Sequence, residues 1–444
     1  MKPINVGLLG IGTVGGGTFS VLKRNQEEIA RRAGRGIVIT IIADREVDKA
    51  RKIAGDETLV TSDLNDVVTH PDVNIVIELI GGNVIAKELI LKAIENGKHV
   101  VTANKALLAL HGTEIFAAAQ RRGVMVAFEA AVAGGIPIIK ALREGLTANR
   151  IEWIAGIING TSNFILSEMR DKGLDFDTAL KQAQKLGYAE VDPTFDIEGI
   201  DAAHKITIMA AIAFGIPMQF DKVYTEGITK LTGEDIRYAE ELGYRIKLLG
   251  IAKRNTKGIE LRVHPTLIPS QRLIANVEGV MNAIVVKGDA VGHTLYYGAG
   301  AGAEPTASSV IADLVDVTRM HTADPKHRVP HLAFQPDLLS NIPILSMEDV
   351  ETSYYLRLRA MDKPGVLADI TRILAGLDIS IDAMVQKEPN EGEDQVDIIM
   401  LTHLAVEKNI NSAIIKIEKL PAVMGNVTRI RLEDLSSNHS IKNK

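Results

Sequence analysis

The chain of 444 residues contains no cysteine and no long run of apolar or basic residues. Without cysteine it can form no disulfide, no thiolate nucleophile and no cysteine-ligated metal site, so covalent chemistry must use other groups. A formal net charge of −6 at pH 7, with no basic cluster, argues against a nucleic-acid partner. The longest apolar runs, such as IMAAIAFGIP, are too short to span a bilayer, so we expect no membrane partner.

The composition is that of an ordinary globular protein with a sizeable core. Hydrophobic residues make up 46% and charged residues 24% of the chain, and the length corresponds to about three typical domains. The first residues, MKPINVGLLG, read as a strand and not as a signal peptide. We therefore expect a cytoplasmic protein.

A glycine-rich turn follows the first predicted strand. INVGLLG leads into Gly10-Ile-Gly12-Thr13-Val14-Gly15, and TFSVLKRNQEEIARR after it reads as a helix. Gly10 permits a tight turn, Gly12 lets a pyrophosphate approach the backbone, and Gly15 allows close packing of helix and strand. The order strand, turn, helix predicts a dinucleotide site, with Thr13 and Val14 at the helix N-terminus that holds the phosphate. A glycine turn without a ligand is the alternative.

The end of the second predicted strand, IVITIIAD, bears on the choice of cofactor. Asp44 there favours the ribose 2′-hydroxyl of NAD, whereas the adjacent Arg45 can hold the 2′-phosphate of NADP. The two signals conflict, and both side chains could simply be solvated. The cofactor is therefore NAD or NADP.

Further strands, NIVIELI, KHVVTA and VMVAFEA, alternate with helical stretches, which indicates a doubly wound parallel sheet. Ligands bind at the carboxyl ends of such strands. Thr102 and Lys105, in TANKAL, lie at one of these ends. We expect both near the cofactor, and Lys105 also near a substrate carboxylate; a solvated lysine at a helix start is the alternative.

An acidic stretch, LGYAEVDPTFDIEGIDAAHK (186–205), leads into an apolar helix. Asp201 and Lys205 are four residues apart and share one face of that helix, so contact between them is expected. On the surface such a pair would be nearly neutral in energy. In this apolar helix, however, a partly desolvated lysine beside a carboxylate can transfer protons. His204 lies on another face and reads as a solvated or core residue.

Two polar turns accompany this stretch. The turn 159–163, NGTSN, places hydroxyls, amides and backbone N–H groups together, which suits a small polar ligand, although helix capping alone would explain it. GAGAGAEP (298–305) is a second glycine-rich turn before a helix. It is predicted to close over the cofactor or to act as a hinge.

The last hundred residues have a separate pattern. Residues 331–351 read as a proline-containing linker, 352–432 have the order βαββαβ, and 433–444 read as a disordered tail. DKPGVLADI resembles the ACT domain, an amino-acid-binding regulatory module, and its ligand turn would comprise Asp362, Pro364, Gly365 and Val366. We hypothesise feedback inhibition by threonine; a dimerisation module without an effector is the alternative.

Taken together, the motifs of residues 1 to about 330 resemble homoserine dehydrogenase. The motifs are GLLGIGTVGGG, VVTANKALLA, EAAVAGGIPII, NGTSNFIL, LGYAEVDPTFDIEGIDAAHK and GAGAGAEPTASSVIADL. The resemblance implies interconversion of L-homoserine and L-aspartate 4-semialdehyde with NAD or NADP, in the branch to threonine and methionine. It also implies an α/β chain with a Rossmann-type domain (1–130), an α+β catalytic and oligomerisation domain (131–330) and an ACT domain (352–432), assembled as a homodimer or homotetramer.

The resemblance assigns roles residue by residue. Lys205 matches the proton-transfer lysine, Glu190 matches a homoserine-binding glutamate, and Asp196 and Asp201 match carboxylates of the same site. Lys105 lies near cofactor and substrate. Positions that approach the cofactor are Gly187 and Gly302, and a monovalent-cation site resembling a sodium site comprises Glu129, Val132, Gly134 and Ile136.

Two other functions remain open from the residues. One is a non-catalytic sensor that joins a dinucleotide domain to an amino-acid domain, against which NGTSN and the acidic stretch with Lys205 argue. The other is a dehydrogenase for a different small amino-acid aldehyde, which only a panel of substrates would separate.

Overall fold

The computed structural model describes residues 2–387 and 394–436. They form two compact units. The first comprises the chain through Gly160 with Asp201–Val223 and Val280–Ile342, and the second comprises Thr161–Ile200, Tyr224–Gly279 and the described residues from Pro343 onward. Each unit is built from separated stretches of chain, and the predicted domain boundaries stay a prediction. Most of the predicted tail, from 437 on, lies outside the described residues.

The elements are as follows. The strands are β1 Ile4–Leu9, β2 Ile37–Ala43, β3 Leu59–Thr61, β4 Ile75–Glu78, β5 His99–Thr102, β6 Val126–Ala127, β7 Ile151–Ile157, β8 Tyr224–Thr225, β9 Tyr244–Arg254, β10 Ile259–Pro269, β11 Met281–Gly288, β12 Gly292–Ala299, β13 Glu351–Met361, β14 Ile381–Gln386, β15 Gln395–Thr402, β16 Ala405–Val406 and β17 Val423–Leu432. The α-helices are α1 Thr13–Arg24, α2 Gln26–Ala33, α3 Val47–Ala54, α4 Leu64–Thr69, α5 Val84–Glu95, α6 Lys105–Arg122, α7 Ile138–Lys140, α8 Gly160–Lys172, α9 Phe176–Lys185, α10 Thr194–Ile197, α11 Ile200–Phe214, α12 Gly233–Glu241, α13 Ala303–Met320, α14 Val366–Ala375 and α15 Glu407–Ile417.

A six-stranded sheet organises the first unit, in the order β3-β2-β1-β4-β5-β6 with every neighbouring pair parallel. Strands β4 and β5 are buried along their whole length, as expected when helices cover both faces of the sheet. The predicted doubly wound fold is confirmed. The helix predicted after the glycine turn is divided at Asn25, whose backbone (φ −107°, ψ 19°) interrupts the helical path between α1 and α2.

The first unit also holds an antiparallel sheet of β7, β11 and β12 and the long helix α13. Helix α13 packs along α1, where the backbone approach is close. A Cβ built on Gly17 would lie 2.6 Å from the carbonyl oxygen of Ala303, so a larger residue would force the helices apart. Apolar side chains of α1, α13 and the parallel sheet share one core.

The second unit contains a mixed sheet in which β17 lies between β10, to which it is parallel, and β13, to which it is antiparallel. Strands β15 and β14 follow β13 as antiparallel neighbours. From Glu351 onward, the main elements follow the order β13-α14-β14-β15-α15-β17, with the two-residue β16 before α15, which is the predicted βαββαβ arrangement. Both helices pack their apolar faces on the strands in a separate core. Across the two described ranges, no helix has the length and apolarity that crossing a membrane requires.

Three histidines of the first unit are held neutral by the fold. Burial lowers the pKa of His99, His204 and His331 to about 4 in each case. In the unfolded chain a histidine binds its proton at a pKa of about 6.5, so the unfolded state binds more protons between these values. Stability is therefore lost as the pH falls from about 6.5 to about 4.

We predict that His99→Asn reduces this loss. The Nδ1 atom of His99 accepts the Met125 N–H at 2.9 Å, an interaction that the asparagine amide oxygen can replace without a group that titrates. Urea denaturation at several pH values measures the effect, with the exposed His327→Asn as control. The same pH dependence in His99→Asn and wild type would contradict the prediction.

Candidate active site

A buried ion pair lies on the first turns of α11. The Nζ of Lys205 donates to Oδ2 of Asp201 at 2.6 Å and to the carbonyl oxygen of Ile158 at 2.7 Å. The contact follows from the spacing of four residues, as the sequence predicts. Only 9% of Lys205 and 4% of Asp201 is exposed. The carbonyl of Ile158, at the end of β7, is a partner that the sequence did not indicate.

Asp201 connects a second lysine to the pair. The Nζ of Lys105, at the start of α6, lies 3.1 Å from Oδ1 of Asp201, and the side-chain amide of Asn159 donates to Oδ2 at 2.9 Å. Burial by itself would raise the pKa of Asp201, but the charges of Lys205 and Lys105 outweigh it and lower the pKa well below the usual range. The carboxylate is therefore ionised and orients two ammonium groups.

His204, next to Lys205 in the chain, packs on an aromatic ring. Its ring stacks on Phe220 with centroids 4.2 Å apart, and burial lowers its pKa to about 4. Of the two interpretations, a solvated or a core histidine, its burial agrees with the second. Lys205 is thus the group of this cluster whose chemistry suits proton transfer, because it combines a desolvated ammonium with a fixed carboxylate partner.

The side chains of the NGTSN turn that belong to the second unit hold neighbouring backbone in place. The hydroxyl of Thr161 donates to the carbonyl of Tyr188 at 2.5 Å, and that of Ser162 donates to the carbonyl of Asp196 at 3.0 Å. The Asn163 amide donates to Val277 and Gly279 carbonyls. Helix capping alone does not account for the turn, because these residues fix the acidic loop that precedes α11.

Within that loop the predicted substrate residues are accessible. Glu190 is exposed and Asp196 is half-buried. Gly187 has a positive φ of 76° at the end of α9, a conformation that favours glycine.

Lys247, on β9, also holds the turn 159–163 in place, a contact that the sequence did not indicate. Its Nζ donates to the Asn163 amide oxygen at 3.1 Å and to the Val277 carbonyl at 2.6 Å, with Glu278 3.3 Å away. The side chain is buried, and this lowers its pKa to about 8. A lysine within an apolar strand, far from NGTSN in the chain, carries no sequence signal of this contact.

The glycine turn has the shape that a dinucleotide requires. Gly10 has φ +91°, and a Cβ on Gly15 would lie 2.1 Å from the Gly10 carbonyl oxygen, whereas a Cβ on Gly12 would meet nothing within 4 Å. Gly12, Thr13 and the N-terminus of α1 are exposed, and no side chain caps that helix. The open, uncapped end therefore fits a pyrophosphate group.

The carboxylate of Asp44 serves the turn itself. One oxygen accepts the Ile11 N–H at 2.7 Å and the other accepts the Glu46 N–H at 2.8 Å. Arg45 is exposed beside it. The acidic residue is thus already engaged with backbone, and the basic residue is accessible to a ligand.

Two other predicted cofactor residues occupy the same unit. The Thr102 hydroxyl donates to the buried Glu78 carboxylate at 2.7 Å and joins the ends of β4 and β5. Sequence analysis missed Glu78, which reads as one more residue of an apolar strand; burial raises its pKa. Gly302, with φ +119°, immediately precedes α13.

The predicted cation loop surrounds Glu129. Its carboxylate accepts the N–H groups of Ile139 and Lys140 at 2.9 and 2.8 Å. Burial, together with the charge of Asp313, raises the pKa of Glu129 to about 7. Gly134, at φ +51°, and Ile136 each accept a hydrogen bond through the carbonyl oxygen, which leaves a further lone pair on each. An all-oxygen donor set of this kind fits a hard cation.

The predicted regulatory turn borders a cavity of about 300 Å³ in the second unit. Asp362, Pro364, Gly365 and Val366 all line it. Asp362 accepts a hydrogen bond from the Gln386 amide at 3.1 Å, and Gly365, at φ +95°, begins α14. The turn therefore has space for a small ligand. Within the described ranges, no cluster of three or more histidine, aspartate or glutamate side chains is arranged to hold a metal.

Comparison with known families and proteins gives consistent matches along the chain. Residues 10–129 match the homoserine dehydrogenase NAD binding domain, 137–315 match homoserine dehydrogenase, and 354–422 match the ACT domain. A homoserine dehydrogenase from Pseudomonas aeruginosa is 65% identical over 98% of this chain and 100% of the relative.

Solved structures agree. The crystal structure of a homoserine dehydrogenase from Thiobacillus denitrificans is 73% identical and covers 98% of this chain and 99% of its own, with a TM-score of 0.94. A hyperthermophilic archaeal homoserine dehydrogenase in complex with NADPH is 26% identical and covers 71% of this chain and 98% of its own, with a TM-score of 0.62.

The matches to both domains of homoserine dehydrogenase define the class of protein as an NAD(P)-dependent oxidoreductase acting on CH–OH groups. The chain belongs to the homoserine dehydrogenase family. The function predicted from the sequence is thereby confirmed, and the sensor without catalysis is excluded.

Proposed function

We propose that Lys205 is the proton-transfer residue of the reaction. The observation that carries this role is its buried ion pair with Asp201, which fixes the ammonium within an apolar helix. The bound nicotinamide supplies or accepts the hydride that interconverts aldehyde and alcohol. In reduction, Lys205 donates a proton to the oxygen as negative charge develops there, and its own charge stabilises that oxygen. In oxidation, the neutral amine accepts the hydroxyl proton.

Asp201 and Lys105 support this role in different ways. The Asp201 carboxylate orients Lys205 and compensates part of the buried positive charge. Lys105 contributes a second ammonium on the opposite oxygen of the carboxylate and remains partly exposed, with 35% of its side chain accessible. It is suited to a substrate carboxylate or to the cofactor.

Glu190 and Asp196 belong to the acidic loop that precedes α11 in the sequence. We assign them to the substrate ammonium group, because carboxylates held on a fixed loop suit a primary amine. The hydrogen bonds of Thr161 and Ser162 to this loop support that assignment.

For the cofactor, we propose that the glycine turn holds the pyrophosphate, with Thr102 and Gly302 of the same unit as further cofactor residues, and that Arg45 favours NADP over NAD. Gly187 stays a predicted cofactor residue. Both oxygens of Asp44 already accept backbone N–H groups, which leaves the ribose 2′ position to the exposed arginine. The archaeal relative with bound NADPH is in keeping with this preference.

We propose three further assignments that are in keeping with the family. A sodium-like cation would be held by Glu129 and the carbonyls of Val132, Gly134 and Ile136, where it would compensate the buried carboxylate. Threonine would bind at the ACT turn and inhibit the enzyme. The chain would act as a homodimer or homotetramer; its cytoplasmic location stays a prediction.

The first prediction concerns Lys205. We expect purified protein to reduce the nicotinamide cofactor with L-homoserine but not with serine or threonine. We expect Lys205→Ala to lower turnover by about 10²- to 10⁴-fold, the usual range for removal of an acid–base group. Absorbance of the reduced cofactor measures both. Circular dichroism and cofactor titration verify folding, and exposed Lys172→Ala is the control. Near wild-type turnover in Lys205→Ala would contradict the proton-transfer role of Lys205.

A second prediction tests the cofactor preference. Arg45→Ala should lower kcat/KM with NADP by about 10- to 100-fold, because a charge-assisted contact to the 2′-phosphate is lost, and leave the value with NAD nearly unchanged. Arg51→Ala, an exposed change on α3, serves as control. Equal losses with both cofactors would refute the role of Arg45.

The cation is tested by exchange at constant ionic strength. Turnover should be higher in sodium or potassium chloride than in choline chloride, since choline is too large for the loop. Glu129→Gln should remove the difference, and exposed Glu144→Gln should keep it. The same rate in all three salts would argue against a cation site.

For the ACT turn, millimolar L-threonine should lower the rate of the wild-type enzyme, and Asp362→Ala should relieve the inhibition by removing a polar group that lines the cavity. Asp369→Ala, on the exposed face of α14, is the matched control. A rate that does not change with threonine would favour the module without an effector.

A further inference from the structure

A second cavity, of about 730 Å³, lies in the first unit and has no part in the activity described above. Its walls come from the end of α6, strand β6, the helical segment Ala141–Gly145, the end of α13 and the chain from Asp324 to Pro336. The glycine turn follows the carboxyl end of β1 in the same parallel sheet, and no residue of that turn lines the cavity. None of the residues around Lys205 lines it.

The lining is strongly basic. It carries six cationic side chains, Arg121, Arg122, Arg143, Arg319, Lys326 and Arg328, and three acidic ones, Glu144, Asp316 and Asp324, an excess of three positive charges. The acidic groups are already engaged. Glu144 pairs with Arg143, Asp316 pairs with Lys140 and Arg319, and Asp324 accepts a backbone N–H. In a chain of net charge −6, this is a local site of positive potential.

Arg143 is the buried member of this group. Only 9% of the residue is exposed, and one terminal nitrogen donates to Glu144 at 3.0 Å. Its Nε–H has no hydrogen-bond acceptor among the residues that the structure describes. A buried guanidinium with an unsatisfied N–H is costly, and an anionic ligand on the same side chain would offset that cost.

Arg328 and His331 form a wall of the cavity and are held by hydrogen bonds to the backbone. Arg328 donates to the carbonyls of Gly123 and Ala323, both at 2.8 Å. His331 accepts the Val126 N–H at 3.1 Å and stacks on Phe116 with ring centroids 5.0 Å apart. Burial, followed by the charges of Arg143 and Arg328, lowers the pKa of His331 to about 4. The His331 side chain is therefore neutral, and the positive charges of Arg143 and Arg328 lie near it.

We propose that this cavity binds a small organic anion, anchored through a carboxylate or phosphate group by Arg143. A planar guanidinium matches either group with paired N–H donors. The remaining lining includes Met125, Met320, Val329 and Pro330, which suit a compact apolar body attached to the anionic group. The proposal does not depend on the catalytic role of Lys205.

The experiment uses the full chain with saturating NADP, so that anionic probes do not occupy the dinucleotide site. Calorimetric titration with citrate represents the carboxylate source, and titration with glucose 6-phosphate represents the phosphate source, both at constant ionic strength. We expect saturable binding of at least one probe. Arg143→Met should weaken it by about tenfold or more, as expected for loss of a buried charge-assisted contact.

Two further variants keep the test decisive. Arg122→Gln changes an exposed lining cation and should weaken binding with little effect on folding, so it replaces Arg143→Met if that variant does not fold. Arg31→Gln removes an exposed charge outside the cavity and should bind like wild type. Absence of saturable binding of both probes at millimolar concentration would overturn the proposal. Equal affinity in wild type and the cavity variants would also overturn it.

Discussion

The buried ion pair of Lys205 and Asp201 is the interaction on which the site depends. Two charged groups removed from water carry a large desolvation cost, which only good geometry and further hydrogen bonds offset. Here the Asp201 carboxylate also accepts a hydrogen bond from the Asn159 amide and forms an ion pair with Lys105. The Lys205 ammonium also donates a hydrogen bond to the Ile158 carbonyl. Two ammonium groups around one carboxylate leave an excess positive charge, which favours an oxygen atom that becomes negative during reaction.

The surrounding fold fixes the segments that meet at this pair. Asn159 and Ile158 follow β7, Lys105 begins α6 after β5, and the pair itself occupies α11. The parallel sheet sets the position of α6, because Glu78 and Thr102 join the ends of adjacent strands. A change at this junction would therefore act on the site through Lys105, without touching the reacting atoms.

In the second unit, buried polar groups likewise hold the acidic loop in place. Thr161 and Ser162 bind backbone carbonyls of the loop, and Asn163 is held in turn by Lys247. Polar side chains that bind the backbone fix a loop more firmly than surface charges do, because each buried group must keep its partner. The polar side chains of this turn thus have a structural role.

Local sequence patterns determined much of this protein. The strand, glycine turn and helix, the four-residue spacing of Asp201 and Lys205, and the βαββαβ order of the C-terminal region follow from periodicity and backbone geometry within short stretches. The division of the helix at Asn25 was not predicted, because a single polar residue inside a helical pattern is only a weak signal of a helix end.

Only the tertiary structure decided which distant groups meet. The Ile158 carbonyl beside Lys205, Lys247 beneath Asn163, Asp313 beside Glu129 and the basic cavity around Arg143 each join segments far apart in the chain. A backbone carbonyl has no residue type to mark it, and a buried lysine reads like any other strand residue. Such contacts depend on how helices and strands pack, which local spacing does not specify.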